Sequence, residues 1–183
     1  MSAHSRLNQV MIGAAALASC VVVASAPVVA KTNDAGQNEI AVSGVVSGNV
    51  QQVGFRAMIQ KQAIKYNLAG SAKNNKDKTV QFRLQGDKSR VNQALDLIRG
   101  GTKKSSNVEV TVSKVPVDST LNTFTVMKWT SVSRHIKTPY DLVFTLRADN
   151  TQIKKKAAKS VWLEICNNAV KGKDKGKCEK DDD

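Results

Sequence analysis

Between Glu39 and Trp129 the hydrophobic period changes repeatedly, and the order of those changes constrains the fold more than any other feature of the chain. Glu39 to Ser47 (E-I-A-V-S-G-V-V-S) alternates apolar and polar residues, which predicts a half-buried strand. Arg56 to Asn67 then places Met58, Ile59, Ala63, Ile64 and Leu68 near helical spacing. Ala69 to Asn74 and Thr79 to Gln85 read as two strands joined by the polar turn N-N-K-D-K. Asp87-Lys88-Ser89 can cap a second helix that carries Val91, Ala94, Leu95 and Ile98 on one face. Gly100-Gly101 ends it. Val108 to Val117 alternates again, and Thr123 to Trp129 supplies F-T-V-M-K-W. The order β-α-β-β-α-β predicts an α+β, ferredoxin-like split β-α-β sandwich: a four-stranded antiparallel sheet with two helices on one face, and an extra strand from Thr123 onward.

What precedes this region has the layout of a secretory signal. Residues 1–8 carry Arg6 and no acid, Val10 to Val23 is an unbroken run of apolar and small residues, and small residues lead to Lys31. Cleavage after Ala30 is the favoured expectation, with cleavage after Ala26 opposed by Pro27. Leu17-Ala18-Ser19-Cys20 also resembles a lipoprotein lipobox, so membrane attachment is expected only if Cys20 is lipidated. The chain is therefore expected to be periplasmic or extracellular.

The loop between the first strand and first helix is the informative motif: Gly48 to Arg56, G-N-V-Q-Q-V-G-F-R. A short loop there can turn several backbone amides inward as an anion cradle, and the helix N-terminus adds favourable partial charge. Arg56 at the junction can form a two-bond fork to phosphate or carboxylate. Two plainer readings stand beside this one. The glycines can serve a tight connection, and Arg56 can be a surface arginine paired with Asp77 or Asp87.

At this point the chain resembles acylphosphatases, which carry G-x-V-Q-G-V-x-F-R here and a second motif, G-x-V-x-N-x-x-D-G-x-V. The second aligns without a gap on Gly70-Ser-Ala-Lys-Asn74-Asn-Lys-Asp77-Lys78-Thr-Val80. The resemblance implies that Arg56 binds the phosphoryl group, with the amides of Gln51, Gln52, Val53, Gly54 and Phe55 lining the cradle. It implies that Asn74 positions the attacking water. The implied reaction is hydrolysis of a carboxyl-phosphate anhydride to carboxylate and phosphate, with no metal, no cofactor and no covalent intermediate. A small acyl phosphate or phosphate is then the ligand. The chain departs from the pattern at Gln52 and Lys78, where the family has glycine. A noncatalytic, exported anion-binding module that kept the fold is the alternative.

The organisation that follows is a signal peptide over 1–30, an acylphosphatase-like domain over 38–131, a strand-helix extension over 132–170 and a charged flexible tail over 171–183. In the extension, Pro139 to Arg147 reads as a strand. Asp149 or Asn150 can cap a helix from Thr151 to about Val170, with an apolar stripe of Ile153, Ala157, Val161, Ile165 and Ala169 widened by Trp162, Cys166 and Val170. That stripe packs on the sheet, or else meets a partner or membrane surface.

Cysteine and charge complete the inventory. Beyond Cys20 the chain has Cys166 and Cys178; an even count in an oxidising compartment suggests a disulfide, with a buried Cys166 and a free Cys178 as the other reading. Two histidines and three cysteines exclude a His- or Cys-rich structural zinc site. The formal net charge of +13 suits anionic ligands. No nucleic-acid partner is expected, since the R-G-F/Y-x-F-type stacking motif is absent from the sequence.

Overall fold

A computed structural model describes residues 38–179; the segment expected to be a signal peptide, Cys20 and residues 180–183 lie outside the described residues. Its strands are β1 (Glu39–Asn49), β2 (Ala69–Asn74), β3 (Val80–Asp87), β4 (Ser106–Val115), β5 (Thr123–Ser131) and β6 (Ile136–Thr145). The α-helices are α1 (Phe55–Tyr66), α2 (Lys88–Arg99) and α3 (Lys155–Ala169). The sheet order is β4-β1-β3-β2-β5-β6. Its first four strands are antiparallel neighbours, as the split β-α-β pattern requires. β5 lies parallel to β2, so the full sheet is mixed rather than antiparallel. β6 returns antiparallel to β5.

Alternation decides which side of the sheet is covered. Val42 and Val46 on β1, Phe82 and Leu84 on β3, and Phe124 and Val126 on β5 are buried against the helices. α2 buries the expected set, Val91, Ala94, Leu95 and Ile98, and Asp87 caps it by accepting from the Arg90 amide at 3.1 Å. α1 is buried more widely: Phe55, Arg56, Ala57, Gln60 and Tyr66 join Ile59, Ala63 and Ile64. The reason is that both α2 and α3 pack against it.

The extension is built into this core. Asn67, the C-cap of α1 in a left-handed conformation, accepts from the Arg147 amide (2.8 Å) and donates to the Arg147 carbonyl (3.1 Å). The side chain of Arg147 donates to Ile64 O at 2.8 Å. α3 starts later than the sequence suggests. Asp149 accepts from Thr151 in a local turn, and Lys154 takes the N-cap position. Its buried face is also rotated by one residue. Ala158, Trp162, Cys166 and Val170 form it, while Ile153, Val161 and Ile165 lie at its flank and Ala157 is exposed. Trp162 sets that rotation, packing edge-on to Trp129 with centroids 5.7 Å apart.

Residues 171–179, expected to be flexible, instead form two 3-10 turns, Gly172–Asp174 and Lys177–Glu179. Cys178 is bonded to Cys166, and the buried Asp174 accepts from Lys177 Nζ (2.6 Å) and Tyr140 Oη (3.1 Å). Those bonds, Lys177 first, hold the Asp174 carboxyl below the usual carboxylate range. A depressed native pKa contributes stability above the unfolded pKa, and that contribution disappears as pH falls through the native value. Asp174→Asn is therefore expected to be less stable than wild type at neutral pH, with the gap narrowing in acid. Denaturant midpoints at neutral and acid pH check this; a constant gap overturns it.

Candidate active site

Residues 50–54 connect β1 to α1, and their backbone alternates in hand. Gln52 (φ 62°) and Gly54 (φ 75°) are left-handed, whereas Val53 between them is not. Alternation of this kind turns successive amides towards one side. The segment's backbone hydrogen bonds run from Val50 N to Gly48 O (3.0 Å) and from Met58 N to Gly54 O (2.9 Å). The amides of Gln51 to Phe55 take no part in them. Gly54 caps α1 without a side-chain acceptor, and no acid occupies the first turn, so the positive end of this helix faces the loop.

The two loop glycines do different jobs. A Cβ on Gly48 would strike the Asn107 carbonyl of β4, and φ there is 101°, so glycine is needed for the strand itself. A Cβ on Gly54 would meet nothing within 4 Å, so only its left-handed φ favours glycine.

Arg56 is buried, which disposes of the surface-arginine reading. Asp77 is occupied by Thr79, and Asp87 by Arg90 and Asn38. Nη1 of Arg56 donates instead to the carbonyls of Met127 (2.8 Å) and Lys128 (3.0 Å) on β5. Among the described residues no carboxylate pairs with Arg56. Burial lowers its pKa from the ordinary arginine value. One nitrogen is thus committed to carbonyls, and Nε and Nη2 remain for an anion.

Asn74 ends β2. β2 and β5 run parallel and pair up to Ala72 and Val126, so Asn74 at the end of β2 lies at the same end of the sheet as Met127 and Lys128, which hold Arg56. Its Oδ1 is buried without a protein hydrogen-bond partner. Asn75 is turned to a different task, donating from Nδ2 to Thr79 Oγ1 at 3.0 Å. The loop is tied to this hairpin by the side chain of Gln51, whose Nε2 donates to Asn75 O and Thr79 O, both at 2.9 Å.

The sheet register therefore gathers the loop, Arg56 and Asn74 at one end of the molecule. Sequence reading missed the Gln51 brace and the Met127 and Lys128 carbonyls. A carbonyl carries no side-chain signature, and nothing in M-K announces a bend.

Both departures from the family pattern fall on left-handed residues, Gln52 at φ 62° and Lys78 at φ 68°. A side chain there costs about 1–2 kcal/mol, part of which glycine forfeits through the freer unfolded chain, about 0.5–1 kcal/mol. Gln52→Gly and Lys78→Gly should each raise stability, by about 0.5–1 kcal/mol in denaturant titration. Lys78 lies on the far side of Asp77 from Asn74, so Lys78→Gly should leave turnover unchanged. Lower stability in both variants would refute the strain argument.

The acylphosphatase family model matches residues 42–126. An acylphosphatase of Chlorobaculum tepidum is 36% identical over 83 residues, which cover 45% of this chain and 90% of that protein. One from Geobacillus kaustophilus is 37% identical over 83 residues, 45% of this chain and 88% of that protein. A solved acylphosphatase structure from Coxiella burnetii matches at a TM-score of 0.47 with 25% identity, over 51% of this chain and 98% of that one. The chain belongs to the acylphosphatase family. The matched segment ends at residue 126, just before the carbonyls that hold Arg56.

Proposed function

We propose that this protein hydrolyses acyl phosphates. The observation that carries the reading is the state of Arg56: buried, held through one nitrogen by two carbonyls, paired with no carboxylate among the described residues, and placed at the start of α1 beside the loop amides. Arg56 and the amides of Gln51 to Phe55 bind the phosphoryl oxygens, and the arrangement stabilises charge that develops there during transfer. Asn74 orients a water for attack on phosphorus. The water oxygen bonds to phosphorus as the phosphorus–acyl oxygen bond breaks. The carboxylate departs, and the water's protons pass to phosphate and solvent. A carboxylate is a good leaving group, its conjugate acid having a pKa near that of Glu, about 4. A strong general base is therefore dispensable.

The test is release of inorganic phosphate from acetyl phosphate by the purified protein in the presence of a chelator. Turnover well above the spontaneous rate supports the proposal. Phosphate binding without turnover favours the noncatalytic anion-binding module, a reading supported by Gln52 in the left-handed position of the loop. Export through cleavage of residues 1–30 is proposed alongside. Mass spectrometry of natively produced protein should show a new N-terminus at Lys31. An intact terminus in soluble cytosolic material sinks that claim, and a lipid adduct on Cys20 selects anchoring.

A further inference from the structure

β5 and β6 pair regularly up to Val126 opposite Leu142 and resume at Trp129 opposite Tyr140. Met127 and Lys128 therefore face a single residue, Asp141, which defines a β-bulge. Lys128, the extra residue, is left-handed at φ 48°. A bulge leaves its extra amide without a ladder partner. Here the partner is a side chain: Lys128 N donates to Asp141 Oδ1 at 2.7 Å. The same two bulge residues turn their carbonyls to Arg56 Nη1, at 2.8 and 3.0 Å. A continuous path thus runs from the Asp141 carboxylate through the Lys128 peptide to the Arg56 guanidinium.

We propose that Asp141 is a positioning residue for Arg56, fixing the bulge whose carbonyls aim the guanidinium at the phosphoryl group. The proposal rests on the reading of Arg56 as the phosphoryl-binding group. Asp141 lies past residue 126, so the strand-helix extension contributes to the site rather than merely covering the core. Bulges re-aim groups next to active sites, and this one holds Lys128 in the left-handed region that non-glycine residues seldom occupy. Without the carboxylate, Lys128 can relax out of its left-handed state, and its carbonyl swings off Nη1.

The experiment compares Asp141→Ala and Asp141→Asn with wild type in the full chain. The first readout is rotation about the Arg56 Cζ–Nη bonds, followed by nitrogen-15 NMR, which needs no ligand. Slow rotation in wild type, faster rotation in Asp141→Ala, and recovery in Asp141→Asn are expected, because asparagine keeps the Oδ1 acceptor. The second readout is the inhibition or dissociation constant of inorganic phosphate together with KM for acetyl phosphate. Both should rise about tenfold in Asp141→Ala, since small misplacements of a positioned group carry penalties of this order, with a smaller change in kcat. Both should return to within about twofold of wild type in Asp141→Asn. A merely structural role would lower the melting temperature and leave these constants and the asparagine rescue unmoved. Unchanged Arg56 rotation in Asp141→Ala overturns the proposal whether or not the protein is an enzyme. A wild type without turnover, but with the rotation effect present, defeats the hydrolase reading alone.

Discussion

Replacing Arg56 with alanine is expected to abolish acyl phosphate hydrolysis and to weaken phosphate binding in parallel. The guanidinium is proposed to contact the phosphoryl oxygens before and during reaction, so its loss should remove ground-state and transition-state binding together. Loss of a single preorganised donor typically costs about 100- to 1,000-fold in rate, and a charged fork belongs at the upper end. Arg56→Lys should recover little, because an ammonium cannot reach two carbonyls and an anion at once. Asn74→Ala should differ in kind. Its orphaned Oδ1 is proposed to hold the attacking water, so kcat should fall about 100-fold or more while phosphate affinity stays within a few-fold. Steady-state kinetics with phosphate as inhibitor separate the two patterns. If both substitutions leave rate and affinity intact, the assignment of this loop as an active site is wrong. Arg56→Ala also strands the Met127 and Lys128 carbonyls, so assays belong well below its melting temperature.

Breaking the Cys166–Cys178 bond is expected to lower stability by about 3 kcal/mol, the loop-closure value for a 12-residue separation. Both half-cystines are fully buried, and Cys166 lies on the α3 face that also carries Trp162. Release of Cys178 frees the turns that bring Asp174 to Tyr140 and Lys177, and it loosens the carbonyl that receives Arg134 Nε at 3.3 Å. Denaturant titration with and without reductant, and of Cys178→Ser, measures the loss. Non-reducing peptide mapping should show the two cysteines joined. Two freely alkylatable thiols in protein from an oxidising compartment would refute the bond.

Much of this was open to reading along the chain, for reasons that differ by element. The apolar face of α2 was legible because one side of that helix meets solvent, so the 3.6-residue period survives. α1 was harder, since two helices and the sheet enclose it and apolar residues spread around it. The buried face of α3 was misplaced by one residue because the adjacent row of Ile153, Val161 and Ile165 looks as apolar as the true face of Ala158, Trp162, Cys166 and Val170. The tail looked mobile because charge usually marks solvent. Asp174 is instead buried, ion-paired with Lys177 three residues on and hydrogen-bonded to Tyr140, and it is this last contact, from a strand far away in sequence, that the local charge pattern hides.

By itself the sequence determined the β-α-β-β-α-β order, the start and stop of α2 at Asp87 and Gly100, and the strand-loop-helix motif that ends in Arg56, because each depends on local spacing and backbone preference. Tertiary structure alone decided that β5 enters the sheet parallel to β2, that Asn74 ends β2 at the end of the sheet where Met127 and Lys128 lie, and that a bulge opposite Asp141 presents two carbonyls to Arg56. Those outcomes rest on strand register and on main-chain groups, which are the same in every residue and leave no trace in the order of side chains.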